Sequence, residues 1–112
     1  MFRKPKEHMI ESDEGFSVEH TKIDTLVYRE GDKTATLTVE HLVGPTAFVV
    51  YLAEYTDCWD PPFESLRISD EYWKTIGDNI RAAYRSQGVE IEVSGPEPQD
   101  ARDALRRAFP PP

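Results

Sequence analysis

The sequence predicts an α+β fold: an antiparallel β-meander of four strands, one long amphipathic helix packed on that sheet, and a fifth strand. Three observations carry this expectation. Residues 34–41 alternate strictly, with Ala35, Leu37, Val39 and His41 on one face and Thr34, Thr36, Thr38 and Glu40 on the other, the period of a strand with one buried face. Tyr72, Trp73, Ile76, Ile80, Ala83 and Tyr84 recur at three- and four-residue steps, the stripe of a helix lying on a core. Short turns join the segments before that helix, which favours antiparallel neighbours.

Taken in order, residues 1–15 mix charges with Pro5 and Gly15 and show no period, so they are expected as a flexible N-terminal tail. A single α+β domain is expected over residues 16–93. Phe16, Val18 and His20 alternate with Ser17, Glu19 and Thr21 as a first strand, and Ile23-Asp24 turns the chain. Leu26 and Tyr28 belong to a second strand, closed by the hairpin signal Glu30-Gly31-Asp32-Lys33, where Gly31 can adopt positive φ. The alternating segment 34–41 is the third. Ala47 to Tyr55 is apolar without alternation, as in a central strand covered on both faces. Ser69 suits a helix N-cap, Asp70 and Glu71 suit the first turn, and Ile68 and Trp73 have the spacing of a hydrophobic staple. Gly88 suits the helix end, and Val89, Ile91 and Val93 alternate with Glu90 and Glu92 as the fifth strand. Residues 94–112 form a C-terminal tail or a short helix with Ala101, Leu105 and Phe109 four apart.

One domain of this length buries a modest core. The formal net charge of −8 disfavours nucleic acid and anionic membranes as partners and suits a basic protein, although such a charge also serves solubility alone. Cys58 is the single cysteine, which leaves no internal disulfide and fits a reducing, cytoplasmic location. Met1 to Ile10 carries Arg3, Lys4 and Lys6 with no apolar region after them, so no signal peptide is expected. No apolar run approaches the length of a membrane span.

Asp57-Cys58-Trp59-Asp60-Pro61-Pro62-Phe63 joins the apolar strand to the helix. Pro61 pushes Asp60 toward an extended conformation, and neither proline can donate to a ladder, so this is a stiff connector. Tyr55, Trp59 and Phe63 stand there among Glu54, Asp57, Asp60 and Glu64. Aromatics ringed by acids would anchor and steer a basic protein; the plainer reading packs Trp59 onto the sheet or helix. Tyr55, Asp57, Trp59, Asp60 and Glu64 are therefore the candidate partner-binding residues, and Trp59, Asp60, Pro61 and Pro62 the structural motif. His20 and His41 fall on inward faces of two strands and could form a paired site for a small ligand; two separately bonded histidines are the plainer reading. Their spacing matches no metal motif, so no metal or other cofactor is expected. Acidic neighbours make Cys58 a poor nucleophile. No phosphate loop, nucleophile elbow or nucleic-acid signature is present, and no enzymatic activity is expected.

The run AFVVYLAEYTDCWDPP, the serine-capped acidic helix start and IRAAYRSQGVEIEV together resemble the small immunity proteins of bacterial polymorphic toxin systems, over about residues 16–93. Trp59, Asp60, Pro61 and Pro62 match the Trp-Asp-Pro-Pro loop of one such group directly. The resemblance implies a cytoplasmic antitoxin that binds one cognate toxin domain and blocks or distorts its active site. Many such toxins are basic nucleases, which the acidic balance suits. The alternatives are a small non-catalytic ligand-binding domain and a homodimeric adaptor; the free protein is expected to be a monomer or a weak homodimer.

Overall fold

A computed structural model describes residues 1–54 and 56–96. They form one mostly antiparallel seven-stranded sheet whose strands lie side by side in chain order. The strands are β1 (Phe2–Lys6), β2 (Met9–Ser12), β3 (Phe16–Lys22), β4 (Thr25–Glu30), β5 (Lys33–His41), β6 (Phe48–Tyr51) and β7 (Glu92–Ser94). A single helix among the described residues, α1 (Asp70–Arg85), connects β6 to β7. β1 to β6 form an antiparallel meander, while β7 runs parallel to β6, pairing Val50 with Val93. A parallel neighbour needs a crossover that returns the chain to the starting end, and α1 supplies it.

The register aligns one apolar face. Ile10, Val18, Tyr28 and Ala35 stand in one cross-strand row, and Leu26 and Leu37 in another. These side chains are buried against Trp73, Ile76, Ile80 and Ala83 of α1. Ser69 caps the helix, its hydroxyl accepting from the Tyr72 N–H at 3.1 Å. Ile68 and Trp73, spaced as a staple, are both buried. Gly77 lies where α1 comes closest to β7: a Cβ there would stand 3.0 Å from Val93 Cγ1 and 3.1 Å from Leu52 Cδ1. The helix docks at its other flank through a polar cluster. Tyr28 and Tyr72 both donate to the Glu30 carboxylate, and Asn79 Nδ2 donates to the Tyr28 hydroxyl at 2.9 Å.

Four expectations are corrected. The sheet has seven strands rather than five, because residues 2–6 and 9–12, expected as part of a tail, supply a hairpin. β1 is an edge strand, and in it only Phe2 is even half-buried, so it lacks the buried alternating face from which a strand is read. Pro5 is at home there, since an edge has an unpaired side. The fourth expected strand stops at Tyr51 rather than Tyr55; beyond it Ala53 takes φ +54° and the chain leaves the sheet. The helix ends at Arg85 with Ser86 as its C-cap, and the last strand begins at Glu92 rather than Val89. The expected C-terminal helix around Ala101, Leu105 and Phe109 lies outside the described residues.

Candidate functional site

Asp57 to Ile68 forms a compact loop whose backbone closes on itself. Cys58 and Arg67 make an antiparallel bridge. The N–H groups of Trp59 and Ile68 donate to the carbonyls of Leu66 and Asp57, at 3.2 and 2.6 Å, and Phe63 N–H donates to the Asp60 carbonyl at 2.9 Å. Successive residues then point to opposite sides. Trp59 is buried, 6% exposed, with its ring edge-on to Tyr72 at 6.3 Å and Lys33 Nζ 5.8 Å from its centroid. Asp60 turns the other way, onto β5. Its N–H donates to the Thr34 carbonyl at 2.8 Å, and its carboxylate accepts from the Thr34 and Thr36 hydroxyls at 2.8 and 2.7 Å and from Thr36 N–H at 3.3 Å.

The register explains this arrangement. β6 pairs with β5 only over Thr38–His41, so the first half of β5 would expose an unpaired edge, a template for association. Asp60 occupies that edge in place of a strand. Pro61 and Pro62, which cannot donate to a ladder, follow immediately and stand exposed.

The residues read from the sequence as partner contacts are thus distributed unevenly. Trp59 is in the core, Asp60 is bonded to β5, and Asp57 is only 16% exposed and pairs with Arg67 at 3.3 Å. Glu64 stands in solvent. Tyr55 lies outside the described residues. The Cys58 thiol is half-buried, 3.9 Å from Asp57 Oδ1.

His20 and His41 do meet, although β4 separates their strands. Their rings stack at 5.6 Å, and each Nε2 reaches the carbonyl of Ile23, at 3.3 and 2.8 Å. A carbonyl has two lone pairs and no proton, so both contacts require N–H at Nε2. In each ring Nδ1 is then the nitrogen left as an acceptor. Phe48 closes the inner side, edge-on to both rings at 5.5 and 6.0 Å. A depression of about 450 Å³ opens outside them, lined by His8, Thr21, Lys22 and Ile23. No group of three His, Cys, Asp or Glu among the described residues could hold a metal ion.

The other face of the sheet carries Thr38, Glu40, Val49 and Tyr51 at its β5–β6 side. Tyr51 donates to Glu40 at 3.0 Å; that bond first, then partial desolvation, and then the charges of Glu40, Glu54 and Glu92 raise its phenol pKa. The sequence marks Thr36, Thr38 and Glu40 as a solvated face, but Glu40, Tyr51 and Glu92 come together only through the pairing of three strands.

No helix among the described residues is long and apolar enough to cross a membrane. No curated protein and no solved structure matches the chain. The model of one family, Immunity protein 74, matches residues 18–94. That span starts in β3, runs through the Trp-Asp-Pro-Pro loop and α1, and ends with β7, so it takes in most of the sheet and the helix docked on it. The chain belongs to the Immunity protein 74 family.

Proposed function

We propose that this protein is the cytoplasmic antitoxin of a bacterial polymorphic toxin system, neutralising one cognate toxin domain by protein–protein contact. Membership of the immunity protein family, over residues 18–94, is the observation that carries this reading. The charge supports it: at −8 the protein would attract a basic domain such as a nuclease and speed their encounter. In this reading Trp59, Asp60, Pro61 and Pro62 serve the fold, and Glu64 is the carboxylate of their loop left in solvent.

Co-expression tests the reading. The toxin is expected in the open reading frame beside the gene for this chain. Its C-terminal domain, induced alone, should arrest bacterial growth. Induced with this protein, it should permit growth and copurify in a complex of fixed stoichiometry. Arrest that persists at equal expression of the two would contradict the proposal.

A further inference from the structure

The sheet has two faces and the described residues contain one helix to cover them. The face away from α1 is roughly 30 Å wide at seven strands and about 20 Å long at six residues per strand. Taken whole it approaches one side of a standard protein interface, ~800 Å², although β6 and β7 contribute only four and three residues to it. Its charge is divided. On the β1–β3 side the acids are matched: Glu11 pairs with Arg3, and Glu19 with Lys6 at 3.0 Å. On the β5–β7 side Glu40, Val49 and Glu92 form one cross-strand row, with Thr38, Tyr51 and Ser94 in the next. Glu40, Glu54 and Glu92 make no ion pair among the described residues.

Val49 marks the character of this patch. It is 5% exposed, yet it is not part of the hydrophobic cluster beneath α1. Val49 is thus already covered within the chain, and the half-buried Tyr51 beside it is the side chain left to be desolvated by a partner, within an acidic rim of Glu40 and Glu92. Tyrosine is among the residues that dominate binding energy at such centres.

Resting on the immunity reading above, we propose that the face away from α1 over β5–β7, centred on Tyr51 above the buried Val49 and bordered by Glu40, Glu54 and Glu92, is where a basic toxin domain docks. A second copy of this chain does not suit it, because two such faces would oppose like charges. The Asp57–Ile68 loop does not supply the surface, because its tryptophan and two of its carboxylates are already engaged in the fold.

The test is the affinity of the full chain for the C-terminal domain of the neighbouring open reading frame, inactivated by substitution of its catalytic residue. The unmodified protein should bind, more weakly at high salt. Glu40→Lys with Glu92→Lys, both at exposed positions, should weaken binding by about 100-fold, mostly through slower association, and Tyr51→Ala by about 10-fold or more. Glu64→Lys should change it by less than about threefold. Circular dichroism and thermal melting of each variant separate lost docking from lost fold. Unaltered affinity in the folded Glu40→Lys/Glu92→Lys protein overturns the assignment of the face and leaves the immunity reading standing. Absence of binding by the unmodified protein overturns both. A homodimer that the same pair of substitutions dissociates would give the face to a second copy and overturn the proposal.

Discussion

Asp60 stands in an acidic loop, and its neighbours would suggest a residue kept for steering a partner. Its four contacts to Thr34 and Thr36 assign it instead to the edge of β5. Hydrogen bonds to a charged acceptor are stronger than neutral ones, and losing them leaves the two threonines without that partner. Asp60→Ala should therefore lower stability by about 2 kcal/mol in urea denaturation. The buried phenols make a second residue-level case. Tyr28 has its pKa raised by burial and then by Glu30; Tyr84 is raised by burial to about 12. A raised acid favours the neutral form in the folded state. Below pH 10, the ordinary tyrosine value, both states keep the proton and this stability is fully present. As pH rises from 10 through the folded value, the unfolded chain ionises first and the stability is lost. Unfolding midpoints measured from pH 8 to 12 should fall above about 10, and Tyr84→Phe should make that fall shallower.

Elements differ in how plainly the sequence declares them. β5 and α1 are legible because each has one buried face and one solvated face, so period and burial coincide: Ala35, Leu37 and Val39 in one, Trp73, Ile76, Ile80 and Ala83 in the other. β1 is illegible for the opposite reason, since Arg3, Lys4, Pro5 and Lys6 are all exposed and leave no period to read. The parallel pairing of β7 follows from the path of α1, which no local pattern encodes. Gly77 illustrates the same limit. In a sequence it reads as a weak point in a helix, costing ~1 kcal/mol against alanine, whereas here its missing side chain lets Val93 and Leu52 approach. Gly77→Leu should destabilise the protein by about 1–3 kcal/mol through overpacking, despite leucine's higher helix propensity. Chemical denaturation of that variant checks this, and a gain in stability would show that α1 and β7 are not held so close.

At the scale of the whole molecule, the loop and the sheet exchange the roles their compositions suggest. The aromatic-rich Trp-Asp-Pro-Pro segment is the more conspicuous stretch of sequence, yet it closes an edge and places Trp59 under cover. The threonine strand reads as ordinary solvated surface, yet pairing brings Glu40, Val49, Tyr51 and Glu92 into one acidic patch. Its parts lie on β5, β6 and β7, which only the fold makes neighbours; the net charge hinted at a basic partner without locating where it would bind. Val49 and Val50 adjoin in sequence and point to opposite faces, one toward the open side and one into the core beneath α1. Methyl NMR of the full chain, titrated with the inactivated toxin domain of the neighbouring reading frame, reads that difference directly. The methyl signals of Val49 should shift or broaden on binding while those of Leu66, exposed on the loop, stay in place. Movement of Leu66 with Val49 unmoved would contradict the account.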